Sequence, residues 1–290
     1  MPSPRPDPRR SVKLAHLSDH HYDGTPQRRD LFLRALEGAR ARGADHLLLA
    51  GDLVDYADRG HLSEVAELLR ETGWWDPARA TVLPGNHDLY RHSAPHLVRS
   101  LLGGLPSLTR TRATFDELFG ELMGTRVAEP TLPALKPLDS EWTLLLLDTV
   151  IRTHRFDLLG SWRGDLDATL SEPTLEAIHA AAPRRLVVAG HHFPLPQSRA
   201  ATALLRGTAF VDPGFAELEG LLERLSPRPA LYLCGHIHAW PAGQPPAFDT
   251  ERVSEVPVYC QGRTGGWVDI EPSWTLHVLG ERVESELVPL

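Results

Sequence analysis

Asp19-x-His21, Gly51-Asp52-x-x-Asp55, Gly85-Asn86-His87-Asp88, His191-His192 and Gly235-His236-x-His238 are five places where polar, metal-capable side chains follow a short apolar run. Together they offer carboxylates, imidazoles and one amide, with no thiolate among them. Such a mixed nitrogen and oxygen set suits Mn, Fe, Zn, Co or Ni better than calcium, which takes oxygens alone. One such place would be unremarkable, because Gly, Asn and Asp are common turn residues. Five in succession point to one or two bound ions.

The runs that must position these residues are VKLAHLSDHH (12–21), HLLLAGDLVD (46–55), ATVLPGNHD (80–88), RRLVVAGHH (184–192) and ALYLCGHIH (230–238). Each reads as a buried strand that ends in a polar loop. Helical stretches fall between them at 27–42, 61–72, 171–182 and 214–225, and in 61–72 the residues Leu62, Val65, Leu68 and Leu69 share one face. The alternation predicts a layered α/β protein, in which ligands collect beyond the carboxyl ends of the strands. A further strand, WTLLLLD (142–148), carries no evident ligand. Toward the C-terminus, VPVYCQG, GGWVDIEP, WTLHVLG and ERVESELVPL read as short antiparallel strands. The proline-rich stretch 89–141, with helical segments at 95–102 and 113–123, is expected to be a helical insertion or lid. Residues 1–10 are expected to be a disordered tail, and 11–290 a single domain.

The totals narrow the function. A net charge of −8 disfavours a protein whose main task is stable binding of nucleic acid. No apolar run approaches the roughly 20 residues that span a bilayer, and no apolar leader precedes residue 11. Two cysteines, Cys234 and Cys260, are too few for a disulfide framework and read as buried thiols in a reducing compartment. A cytoplasmic protein without membrane attachment is expected.

The five motifs in this order resemble the signature of the calcineurin-like metallophosphoesterases, over about residues 12–240. The resemblance implies a four-layer α/β/β/α sandwich with two mixed β-sheets and a two-metal site at the strand ends. It implies that Asp19, His21 and His238 hold one divalent ion, that Asn86, His191 and His236 hold the other, and that Asp52 bridges both. By the same resemblance, Asp55 and His192 support the ligands by hydrogen bonding. His87 faces substrate and donates a proton to the leaving oxygen, and Asp88 orients the His87 ring. Two divalent ions bring +4; two aspartates and a bridging hydroxide remove three, so about one positive charge is left to receive a phosphate despite the acidic chain.

The implied activity is a metal-dependent phosphohydrolase in which the bridging hydroxide attacks phosphorus in line. A small phosphodiester such as a cyclic nucleotide or a glycerophosphodiester is the expected substrate, with a phosphomonoesterase or nuclease of the same fold as alternatives. A metal-free protein-binding scaffold is the reading from another class, and it would predict eroded ligand positions. Tyr56 and Asp88 stand where Ser/Thr protein phosphatases have Arg and Glu, which argues against a protein substrate. Tyr22, Tyr90, Phe193 and Trp240 each follow a motif closely and could form an aromatic rim around the substrate. His20 reads as a surface residue, and Arg110 and Arg112 as solvated charges of the lid.

Overall fold

The computed structural model describes residues 11–90, 108–126, 132–150, 172–181, 183–192, 216–236, 251–253, 255–261, 264–265 and 271–290. Among these, the chain runs β1 (Val12–Leu17), α1 (Pro26–Ala41), β2 (His46–Ala50), α2 (Arg59–Glu71), β3 (Ala80–Leu83) and the single turn α3 (Asn86–Leu89). It continues with α4 (Leu108–Phe119), β4 (Thr125–Arg126), β5 (Ala134–Pro137), β6 (Trp142–Leu146), α5 (Glu172–Ala180), β7 (Arg185–Ala189) and α6 (Ala216–Arg224). The last elements are β8 (Leu231–Cys234), β9 (Glu251–Val253), β10 (Val256–Cys260), β11 (Ser273–Leu279) and β12 (Val283–Pro289).

The strands form a five-stranded sheet ordered β12-β11-β1-β2-β3 and a seven-stranded sheet ordered β4-β5-β6-β7-β8-β10-β9. Both are mixed. β1, β2 and β3 are parallel, as are β6, β7, β8 and β10, while antiparallel pairings occupy one flank of the first sheet and both flanks of the second. Alternation along the second sheet explains the layering. Leu144, Leu146, Val187, Ala189, Leu231 and Leu233 join the large core shared with the first sheet. Their neighbours Leu145, Leu147, Leu186, Val188 and Tyr232 face Leu175, Ile178, Leu221 and Leu222 of α5 and α6. Phe32, Leu36, Leu62, Val65 and Leu69 of α1 and α2 cover the outer face of the first sheet. The product is an α/β/β/α sandwich.

Local chemistry sets the helix starts. Asp58 caps α2 by accepting the N–H groups of Gly60 and His61, so the helix begins at Arg59 rather than at 61. Thr25 caps α1, with Pro26 at its first position. Two expectations are corrected. Strand β10 pairs in parallel with β8 and is antiparallel only to the short β9, because the 21 residues between Cys234 and Val256 are long enough for a crossover. The described part of 89–141 is not a lid. Phe115, Phe119, Leu122 and Met123 are fully buried in the main core, and β5 pairs antiparallel with β6. The buried ammonium of Lys136 on β5 donates to the carbonyls of Ala80 on β3 and of Leu122, tying the two sheets together. The helix expected at 95–102, and most of the strand expected at 265–272, lie outside the described residues. No helix among the described residues is long and apolar enough to cross a membrane.

His46 at the start of β2 yields a stability test away from the candidate site. Its ring lies between the carbonyl of Ala78 and the Thr81 hydroxyl, and burial, aided by Lys136, pulls its pKa down to about 3. Between about pH 6.5 and 3 the unfolded chain therefore holds one proton at this residue that the folded chain refuses. As pH drops through this window, stability is lost by about 1.4 kcal/mol per unit from this group alone. His46→Gln is expected to flatten the acid limb of a stability-versus-pH curve by that slope, measured by urea unfolding between pH 6 and 4.

Candidate metal centre

The loops beyond β1 and β2 are stitched together as the strands are. Asp19 N–H donates to Gly51 O at 3.0 Å, His21 N–H to Asp52 O at 3.1 Å and Tyr22 N–H to Leu53 O at 2.9 Å. Holding the loops this way forces unusual backbone. Asp19, His21, Asp52 and His236 have φ of 57°, 47°, 50° and 72°, in the left-handed region that non-glycine residues visit rarely. Each such residue costs about 1–3 kcal/mol. Four of the five non-glycine residues with positive φ among those described are thus candidate ligands. Two glycines make room for the same side chains. A Cβ on Gly85 would collide with the Asp52 carboxylate, and one on Gly235 with Ser18 Oγ and Asp19 Oδ2.

Asp52 lies at the centre. Its Oδ2 is 3.3 Å from His191 Nε2 and 3.9 Å from His21 Nε2, and its Oδ1 accepts the His87 N–H at 2.8 Å. Asn86 Oδ1 lies 3.0 Å from both His191 Nε2 and His236 Nδ1. Asp19 Oδ1 is 3.9 Å from His21 Nε2, and both its oxygens accept the His236 N–H, at 3.0 and 2.9 Å. Donor atoms of His21, Asp52 and His87 fall within 4.8 Å of one another, and so do those of Asp52, His191 and His236. Asp52 belongs to both groups, the position of a bridging carboxylate.

These residues fit divalent cations. Asp19, His21, Asp52, Asn86 and His191 are all at most 4% exposed, so two carboxylates are buried where an uncompensated charge is costly. In the metal-free cluster His191 is the imidazole held in its charged form. Burial would raise the Asp52 carboxyl, but His191, His87 and His21 hold it well below the ordinary range. Burial would lower His191, yet Asp52 and Asp19 push it up to about 10. The carbonyl of Ala50, 2.8 Å from His191 Nδ1, can only accept, so that nitrogen carries hydrogen and Nε2 is the ligating atom.

The remaining expected residues are placed as follows. Asp55 Oδ1 is 3.5 Å from His21 Nδ1, and the Asp55 carbonyl accepts His87 Nδ1–H at 2.6 Å. The expectation that Asp88 orients the His87 ring is corrected. Its oxygens accept Val54 N–H at 3.1 Å and Gly85 N–H at 2.8 Å, so it braces the turn instead. Burial, reinforced by Asp52, pushes Asp88 up to about 8. Tyr22 is not on a rim; it is 2% exposed and its hydroxyl donates to Glu64 at 2.6 Å. Tyr90 is half-buried behind the turn, its N–H on Asn86 O. His20 is buried against Phe32 rather than exposed, and Arg112 pairs with Asp148 at 2.6 Å rather than standing in solvent. His238, Phe193 and Trp240 lie outside the described residues.

Four contributors escaped the sequence reading. Ser18 Oγ donates to Asp19 Oδ2 at 2.5 Å, Thr264 and Gly265 brace the Ser18–Asp19 backbone from the far end of the chain, and Thr149 contacts His191 and His192. Ser18 and Thr149 left a trace: each follows an apolar strand as the ligand motifs do.

No curated protein matches the chain. Among solved structures, a dimetal phosphatase from Danio rerio is similar over 98% of this chain and 99% of its own, with a TM-score of 0.56 and 13% identity. A purple acid phosphatase from yellow lupin seeds is similar over 98% of this chain and 52% of its own, with a TM-score of 0.53 and 14% identity. At those identities the likeness establishes the fold. The family model described as calcineurin-like phosphoesterase matches residues 12–240, the span that carries all five motifs. With that match, this sandwich and two donor groups sharing one aspartate, the chain belongs to the calcineurin-like phosphoesterase family, as a binuclear metallophosphoesterase that works with two divalent cations.

Proposed function

We propose that the protein hydrolyses small phosphodiesters, with cyclic nucleotides and glycerophosphodiesters as the candidate substrates. The observation that carries the hydrolytic reading is the pair of donor groups meeting at Asp52, one of which includes His87. When bound, the two cations supply Lewis acidity to the phosphoryl oxygens and make water acidic enough to act as nucleophile near neutral pH. Asp19, His21, Asp52 and His238 hold one cation in this reading, and Asp52, Asn86, His191 and His236 the other. Asn86 contributes a neutral oxygen, which leaves net positive charge for the substrate. His87 and His236 are half-buried where the clustered Asp19, His21, Asp52, Asn86 and His191 are buried, and since His236 is assigned to a cation, the His87 ring is the one left to meet the leaving group. The Asp55 carbonyl can only accept, so Nδ1 keeps its hydrogen and Nε2 is the atom that delivers a proton.

Tyr56 supports a substrate with an aromatic leaving or retained group. It is the one exposed large hydrophobic among the described residues, at 39%, and it follows directly on Asp55. Base stacking on such a ring contributes about 1–3 kcal/mol. Tyr56→Ala is therefore expected to raise KM for nucleotide and aryl diesters about tenfold at unchanged kcat. KM for glycerophosphodiesters should stay as it is. Unchanged KM throughout would remove Tyr56 from the substrate surface.

The deciding experiment is a hydrolysis panel on metal-reconstituted protein, with chelator-treated protein as blank. Bis(p-nitrophenyl) phosphate, cyclic nucleotides and glycerophosphodiesters are expected to outrun p-nitrophenyl phosphate and single-stranded DNA. Faster turnover of the monoester would favour the second reading, a phosphomonoesterase, to which the fold-level likeness to two phosphatases lends weight. Cys234 and Cys260 are not joined in a disulfide, which supports a reducing compartment, and we place the protein in the cytoplasm.

A further inference from the structure

The turn that carries His191 and His192 is gripped from both sides by hydroxyls of the strands that flank β7. From the end of β6, Thr149 Oγ1 accepts the N–H of His191 at 3.0 Å and the N–H of His192 at 3.1 Å, and lies 3.0 Å from His192 Nδ1. A hydroxyl has two lone pairs and one hydrogen. Both lone pairs are used by the two N–H groups, so the hydrogen goes to His192 Nδ1 and the Thr149 hydroxyl is saturated. From β8, the Tyr232 hydroxyl donates to His192 O at 2.9 Å. Thr149, His191, His192 and Tyr232 are each at most 1% exposed, so water does not replace these bonds. The His192 ring in turn packs on the rings of His191 and His236, at centroid distances of 5.0 and 4.5 Å.

We propose that Thr149, seconded by Tyr232, is a positioning residue for the cation held by Asn86, His191 and His236. The clamp sets the backbone from which the His191 ring projects, the Ala50 carbonyl sets its rotation, and the two together aim Nε2 at Asp52 and Asn86. By fixing the His192 tautomer, Thr149 also seats the ring that packs beside His236. Removing hydrogen-bond partners that orient metal ligands lowers metal affinity or activity about 10–100-fold.

The proposal rests on the ligand reading above, and the test separates the two. Metal-free full-length protein is titrated with Mn²⁺ or Zn²⁺ against a chelating dye, with thermal melting of the same metal-free samples alongside. Thr149→Val keeps the shape and loses the hydroxyl; it is expected to weaken one of the two binding events 10–100-fold and leave the other near wild type. Thr149→Ser should restore it. Tyr232→Phe should give the same effect at smaller size, and it serves if Thr149→Val does not fold. A clamp with only a structural role would lower the melting temperature and leave both affinities unchanged, which would overturn the proposal. His191→Ala is the control. If it loses one ion while Thr149→Val keeps both at wild-type affinity, the clamp alone is wrong; if it keeps both ions, the ligand reading goes and the clamp with it.

Discussion

Asp52→Asn protein, purified and reconstituted with divalent metal, is expected to retain at most one ion per chain and to lose phosphoesterase activity by about 10⁴-fold or more. The substitution is nearly isosteric, and asparagine tolerates the left-handed φ of 50° at this position. It can still accept the His87 N–H now held by Oδ1. What it removes is one negative charge and one donor oxygen from the only residue common to both donor groups. Each cation supplies several kcal/mol of transition-state stabilisation, and every 1.36 kcal/mol is a factor of about ten in rate. Metal content measured by elemental analysis should fall together with rate. A variant with two ions and wild-type turnover would show that Asp52 does not bridge. The metal-free variant provides a second readout, because Asp52 is the main group holding His191 up at about 10. Without that charge, burial should bring the His191 titration down, and NMR of the ring would follow it.

His87→Ala is expected to behave in the opposite way with respect to metal. Both ions should stay bound while kcat drops about 10²–10⁴-fold, the usual contribution of a positioned general acid. The loss should shrink for esters with good leaving groups such as p-nitrophenolate, which depart without a proton, and be full for alkyl or nucleoside leaving groups. His87 donor atoms lie within reach of His21 and Asp52, so metal analysis has a real alternative to exclude. Loss of an ion from His87→Ala would make His87 a ligand and end its assignment as proton donor. If instead both ions and full turnover of alkyl esters remain, no proton passes through this residue.

Much of this could be read along the chain because it is local. An apolar run such as HLLLA signals a buried strand, and polar residues placed immediately after it must emerge at the strand's end. That is why the strand ends that carry Asp52, Asn86, His191 and His236 could be named from spacing, while the resemblance to the family singled these residues out from their polar neighbours. Helix boundaries moved by only a few residues, and a capping side chain accounts for the earlier start of α2. The contacts around those residues were of another kind. Asp88 adjoins His87 in the chain, yet the group that holds the His87 ring is the carbonyl of Asp55, 32 positions away. Tyr22 follows His21, and its neighbour in space is Glu64 on α2.

The amino-acid order alone was enough to settle the family, the donor chemistry and which strand ends must carry it, since side-chain type and periodicity are properties of short segments. Folding settled how those ends face one another: the parallel seat of β10 beside β8, the burial of Phe115, Phe119, Leu122 and Met123 in the core, and the grip of Thr149 on the His191 turn. A strand's sequence says which of its faces is apolar but not which strand lies beside it or in which direction. Hydrogen bonds between loops, and the strained backbone they sustain at Asp19, His21, Asp52 and His236, exist only once that arrangement is made.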